Sequence, residues 1–264
     1  MSPSTEKYIK NSTTKSVSKT LAILSTFTED SPVQRTSDIA DKLKMNVSTV
    51  SRHLNTLLDW GFLEREDDTG FYYPGINIIT LAGISLQRND VYRFAAPELQ
   101  QISHKFDIHS HMEIPHKTEI ILMIIFASEY TKEIMMPMGH RHPMHCSAMG
   151  RAIMAYLPQE KVAEILKNSE LIEYASETKT DIQEIYQELK KTRQKGYCLL
   201  INELSEGKGS IAAPIFNRYR EPVAAISVST SARSLSKPDR ELELSKIITS
   251  TALRISGKLG YFSR

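Results

Sequence analysis

Two groups of residues in this chain have types and spacing that suit chemistry. Ser48, Thr49, Ser51, Arg52 and Asn55 form the outer stripe of a run whose inner stripe is Val47, Val50, Leu54, Leu57 and Leu58. Short hydroxyls allow close approach to phosphate oxygens, arginine pairs with guanine or phosphate, and asparagine pairs with adenine. Arg35 adds a further cation just upstream. Taken alone, the same stripe also describes an ordinary solvated helix face. The second group lies in the stretch His-Cys-Ser-Ala-Met-Gly-Arg-Ala-Ile-Met-Ala-Tyr-Leu-Pro, residues 145 to 158, where small residues lead into a helix. A helix opening at Ser147, Ala148, Met149 and Gly150 offers unpaired amides and the positive end of the dipole, with little side-chain bulk to keep an anion away. Close packing is the ordinary alternative.

Other chemistry is also conceivable. Histidines are dense, at 104, 109, 111 and 116 and again at His140, His142 and His145 beside Cys146. Imidazole and thiolate are zinc ligands, so a metal-sensing role for the His140/His142/His145/Cys146 cluster stands as an alternative. His145, Ser147 and Glu203 could be imagined as a nucleophile set, but no nucleophile elbow accompanies them. Gly207-Lys208-Gly209 lacks the length and the following Ser/Thr helix of a phosphate cradle. The expectation is a protein that is not an enzyme, with no cofactor and no resident metal.

The chain must hold these groups on something. Its 264 residues fit two compact units, and 41% apolar with 24% charged residues is a globular composition. No apolar run approaches the ~18 to 20 residues that span a bilayer. Residues 1 to 15 lack an apolar core and read as a disordered arm rather than a signal peptide. Cys146 and Cys198, in a chain without an export signal, suggest a reducing cytoplasm. The net charge of +2 decides nothing, and residues 1 to 78 carry nine Lys/Arg against ten Asp/Glu, which is no basic footprint. The basic residues cluster instead, with Arg35, Lys42, Lys44 and Arg52 set against Asp38 and Asp41 between positions 35 and 57.

Val17, Leu21, Leu24 and Thr28 have helical spacing, widened by Ile23 and Phe27, which predicts a helix over 16 to 28. Ser37 can cap a second helix with Ile39, Ala40 and Leu43 inward; Lys44-Met45 make a turn; Asn46 caps the third helix. Trp60-Gly61-Phe62-Leu63 then starts a strand, residues 66 to 70 turn, and Phe71-Tyr72-Tyr73 returns. Three helices and a hairpin make a winged helix-turn-helix over 16 to 75, although the acidic wing tip would be repelled by phosphates. A helical pattern continues from Ile76 to Phe94 as a linker helix placed at 76 to 95, with Pro97 opening the next helix. A stiff linker can transmit a change in the distal unit to two DNA readers.

From residue 96 to the end, strand-like runs (109 to 114, 119 to 127, 133 to 136, 197 to 201, 210 to 216, 223 to 230) alternate with helix-like runs at 148 to 157, 159 to 168, 181 to 195 and 239 to 259. This is the pattern of an α+β domain with an antiparallel sheet and flanking helices, Asn217 to Pro222 making a hairpin connection.

Several motifs in order resemble the IclR family of bacterial transcription regulators over most of the chain, from about Val17 to Gly260. They are Leu-Ala-Ile-Leu at 21 to 24, Ser-Thr-Val-Ser-Arg-His-Leu at 48 to 54 and Pro-Met-His-Cys-Ser-Ala-Met-Gly-Arg-Ala at 143 to 152. Further along come Lys-Gly-Tyr at 195 to 197, Ile-Ala-Ala-Pro-Ile-Phe at 211 to 216 and Arg-Glu-Pro-Val-Ala-Ala-Ile-Ser-Val-Ser at 220 to 229. The resemblance implies a winged reader joined to a GAF-like effector domain, acting on double-stranded operator DNA as a homodimer or dimer of dimers and answering to a small molecule, typically an organic acid. It places the ligand against Ser147, Ala148, Met149, Gly150, Leu200, Ser210, Ser227 and Ser229. Leu200 and Ser210 depart from the acidic residue and the cysteine frequent there, so the resemblance implies a less polar inducer than a two-carbon acid.

Overall fold

The computed structural model describes residues 14 to 128 and 136 to 262. Chain contacts divide it into two units, Met1–Arg88 and Asn89–Arg264. The arm expected over residues 1 to 15 and the strand expected at 133 to 136 lie almost wholly outside the described residues; Met136, the one described member of that strand, is not in a strand.

The first unit contains α1 (Lys15–Leu24), α2 (Thr36–Leu43), α3 (Val47–Asp59), the strands β1 (Leu63–Arg65) and β2 (Tyr72–Pro74), and α4 (Ile76–Arg88). Ile23, Ile39, Val50, Leu54 and Leu63 form its buried centre. The inner face of α1 is not the one expected from spacing: Val17 and Leu21 are 53% and 58% exposed, whereas Ala22 and Ile23 are buried. Two apolar stripes lie side by side on this helix, and periodicity alone cannot rank them. The helix also stops at Leu24, because Thr26 turns its hydroxyl onto the Ile23 carbonyl. A relay then runs from Lys42 to Gln34 Oε1 and from the buried Gln34 Nε2 to Thr26 Oγ1, tying the turn after α1 to α2.

The expected Ser37 cap is replaced by Asp38, whose Oδ2 accepts the Arg35 amide at 3.1 Å. Lys44 takes the left-handed backbone at φ 51°, and Asn46 caps α3 by accepting the Ser48 amide. Val47, the first residue of α3, is exposed instead of joining the core stripe. The hairpin forms with Leu63 opposite Pro74.

The linker run is interrupted. The helix α4 ends at Arg88, and Asn89, in extended backbone, accepts the Tyr92 amide to cap a new helix α5 (Asp90–Phe106). Asn followed by Asp is an N-cap signal that the apolar periodicity hid. Pro97, expected to open a helix, therefore sits inside α5.

The second unit adds β3 (His109–His116), β4 (Glu119–Phe126), β5 (Arg141–Pro143), α6 (Ala148–Met154), α7 (Gln159–Lys167), α8 (Ile182–Lys195), β6 (Cys198–Ile201), β7 (Lys208–Phe216), β8 (Pro222–Ser231), α9 (Ala232–Leu235) and α10 (Pro238–Lys258). Its six strands are antiparallel in the order β5-β4-β3-β8-β7-β6. One hydrophobic cluster joins the sheet to α5 and α10 through Leu99, Met112, Ile226 and Ile248. A second, including Ile153, Ile185, Ala212 and Ala225, joins it to α6 and α8. Pro222 opens β8, a position that asks no ladder bond of it. The fold is α+β, an N-terminal winged helix-turn-helix followed by a GAF-like mixed domain. No helix among the described residues is long and apolar enough to cross a membrane.

Candidate functional site

On the first unit, α3 carries the candidate reading face. Ser48, Arg52 and Asn55 are exposed; Thr49 and Ser51 are half-buried at its edge. Arg35 stands apart, its guanidinium 4.7 Å above the Phe71 ring on the hairpin. His53, which the sequence did not single out, bonds Thr20 Oγ1 at 2.9 Å and so fixes α3 against α1. Burial lowers its pKa, helped by the positive charges of Lys19 and Arg52, so the face carries cations around a neutral anchor.

The second unit holds a cavity of about 570 Å³ over the sheet face covered by α6. Strand register explains how distant residues meet there. His109 pairs with Ser229, Ser229 with Ser210 and Ser210 with Leu200, which makes one cross-strand row; His111 opposite Ser227 begins the next. Because side chains alternate along a strand, His109, His111 and Glu113 all reach the same side. Ser147, Ala148 and Met149 form the opposite wall, where Ser147 caps α6 through the Gly150 amide.

Seven of the eight residues expected at the ligand are thus brought together: Ser147, Ala148, Met149, Leu200, Ser210, Ser227 and Ser229. Gly150 is not among them. A Cβ there would lie 2.6 Å from the Met144 backbone, so its smallness serves close packing. Sequence reasoning missed the acidic and imidazole floor. Burial pushes the Glu113 carboxyl up to about 8, and its Oε2 has no hydrogen-bond partner. Burial likewise lowers His111 to about 3, aided by His109 and His142, and lowers His142 to about 4, aided by His140. His111 Nδ1 meets Ser227 Oγ at 3.4 Å, and His142 Nε2 lies 3.4 Å from Glu113 Oε1.

Arg151, fully buried behind the cavity wall, forms a two-pronged ion pair with Glu203 and donates to the His145 carbonyl. Burial raises the Glu203 pKa against the opposing pull of Arg151. Three of the four residues of the metal alternative, His140, His142 and Cys146, line this cavity without forming a ligand set. His140 and His142 pack edge to face, His145 meets the Ile172 carbonyl at 3.1 Å, and Cys146 turns to the Pro143 carbonyl. No group of three or more His, Cys, Asp or Glu among the described residues could hold a metal ion. In the imagined nucleophile set, Glu203 is engaged by Arg151, and the Ser147 hydroxyl accepts the Gly150 amide.

A helix-turn-helix unit with an exposed polar and cationic helix face, followed by a unit enclosing a small-molecule cavity, defines a ligand-responsive DNA-binding regulator. The family model "Bacterial transcriptional regulator IclR C-terminal" matches residues 84–257, and "IclR helix-turn-helix domain" matches residues 16–67. The chain belongs to the IclR family of bacterial transcriptional regulators: it binds DNA through the first unit and an effector through the second. It is 29% identical over 247 residues to the HTH-type transcriptional regulator KipR of Bacillus subtilis (strain 168), covering 94% of this chain and 98% of that one. Among solved structures, the Thermotoga maritima IclR superposes with a TM-score of 0.74 at 27% identity, covering 93% of this chain and 98% of that one. An IclR homolog from Microbacterium hydrocarbonoxydans, complexed with 4-hydroxybenzoate, gives 0.81 at 22% identity over 92% of this chain and 98% of that one, a likeness of fold.

Proposed function

We propose that this regulator reads double-stranded operator DNA with Ser48, Thr49, Ser51, Arg52 and Asn55, with Arg35 contributing from the hairpin side. The effector is a small organic acid held between Ser147, Ala148 and Met149 on one side and Leu200, Ser210, Ser227 and Ser229 on the other. The observation that carries this reading is the convergence of those seven residues on one cavity of about 570 Å³, a volume suited to a small metabolite. The protein acts in the cytoplasm, where its DNA is, and by binding rather than by catalysis.

The working species is a homodimer, alone or paired into a dimer of dimers. Supporting this, α4 buries none of its residues, yet displays Ile76, Ile79, Leu81 and Ile84. Effector binding alters operator affinity through the segment from α4 into α5. By linkage, DNA must then alter effector affinity by the same factor, typically ~5 to 150-fold.

A thermal-shift screen over organic, sugar and aromatic acids identifies the effector, since a ligand of the folded state raises the melting temperature. Met149→Trp, which fills the cavity, should abolish that shift and the effector response while operator affinity stays within a few-fold of wild type. A normal response in this variant would move the site elsewhere.

A further inference from the structure

The ionic inventory of the cavity is unusual for a site that takes an acid. The buried guanidinium behind its wall, Arg151, is engaged by both Glu203 carboxylate oxygens and by the His145 carbonyl. Arg141 pairs with Glu119 at 3.0 Å on the exposed side, and the half-buried Lys208 is the remaining lysine or arginine of the lining, on the far strand β7. His111 and His142, pressed toward neutrality by burial, supply no charge. What the floor does offer is Glu113, 1% exposed, with one carboxyl oxygen that has no partner.

On the reading of this cavity as the effector site, we propose that Glu113 is the hydrogen-bond donor that receives the effector's carboxylate, through the proton on Oε2. The geometry selects that oxygen. Oε1 has His142 Nε2 3.4 Å away, whereas Oε2 has no hydrogen-bond partner and belongs to a residue of the cavity lining. A proton on Oε2 is the one that a ligand in the cavity can accept without displacing another partner. A buried acid that stays neutral can donate to an anion where an ionised one would repel it.

The surroundings keep it neutral. From β3 the titratable neighbours are His109 and His111; from β5 and the residues before it, His140, Arg141 and His142; from the turn into α6, Cys146. Across the cavity stand Tyr174, Glu203 and Lys208, and Arg151 behind the α6 wall. The residues paired with Glu113 on β4 and β8, Leu122 and Ala225, carry no charge. Desolvation alone accounts for the raised carboxyl. Between pH 6.5 and pH 9, His111 at about 3 and His142 at about 4 stay neutral and Cys146 at about 12 stays a thiol.

The test is isothermal titration of the full-length protein with acetate, pyruvate and benzoate, and with benzylammonium as the opposite charge, from pH 6.5 to 9. At least one of the acids should bind at pH 6.5. With Glu113 titrating near about 8, its protonated fraction falls from about 0.9 to about 0.1 between pH 7 and pH 9, so affinity should fall about tenfold. Glu113→Gln, which keeps a donor, should bind within a few-fold of wild type at pH 7 with no such fall. Glu113→Leu should lose tenfold or about that at pH 7 while retaining the wild-type circular dichroism. A flat or rising affinity with pH, a Gln variant that keeps the wild-type pH dependence, preferential binding of benzylammonium, or no binding by any of the three acids would overturn the assignment. Met149→Trp separates the two readings: if an acid still binds to it unchanged, the cavity is not the site, whereas loss in that variant without any effect at Glu113 refutes only the donor role.

Discussion

Replacing Glu203 by leucine should destabilise the second unit strongly, because it strands a guanidinium that has nowhere to go. Arg151 has no exposed surface, and its nitrogens are committed to both Glu203 carboxylate oxygens and to the His145 carbonyl. The lost pair also releases the Glu203 grip on the Lys179 amide. Breaking one side of a buried ion pair costs about 3 to 5 kcal/mol, mostly through the unpaired charge left behind. For a unit the size of Asn89–Arg264 this corresponds to a melting temperature lower by roughly 6 to 20 °C. Calorimetry and urea denaturation followed by far-ultraviolet circular dichroism would measure it. The double variant Arg151→Met with Glu203→Leu should recover most of the loss, since it removes both charges at similar volume. A single variant within about 1 kcal/mol of wild type, or a double variant as unstable as the single, would refute the claim that this pair is a buried mutual dependence.

Arg52→Ala should weaken operator binding by about 1 to 3 kcal/mol if it reads a base, with an unchanged salt slope and an intact fold, because its side chain is exposed opposite the Val50 and Leu54 core; wild-type affinity in a gel-shift titration would contradict this. Gly150→Ala should cost about 1 to 3 kcal/mol, since its Cβ would meet the Met144 backbone at 2.6 Å, and an unchanged denaturation midpoint would show that the α6 entry can yield. Glu113, raised from 4.5 to about 8 in the folded protein, contributes stability that is full below its unfolded pKa and is lost as pH rises toward 8. The melting temperature of Glu113→Gln should accordingly gain on that of wild type between about pH 4.5 and pH 8 and hold a constant lead above; a constant difference across that range would mean the carboxyl titrates normally.

The candidate reading helix was legible because Asn46, the Val50/Leu54/Leu57 stripe and its polar complement all occur within one local element. Five of the six strands of the second unit were legible for the same reason, down to the Asn217–Pro222 turn. The serines of the cavity came from family resemblance; their cross-strand row with His109 and Leu200 depends on register, which no local pattern states. The histidines of β3 were visible but suggested metal, because nothing in the spacing shows that His109, His111 and Glu113 share a cavity wall with Ser147. The strand β5 escaped notice as three residues, Arg-His-Pro, with no alternation to betray it. Arg151 sat inside a recognised motif, while its partner lies 52 positions away.

The helix α4 has a thermodynamic consequence of its own. Its 13 residues bury nothing, and a lone helix of that length is marginal in water. If the proposed homodimer covers Ile76, Ile79, Leu81 and Ile84, helix formation and association become one equilibrium. Dilution of that dimer would then cost secondary structure as well as company, because the ordering entropy of α4 would be drawn from the association energy, and a modest shift elsewhere could loosen it.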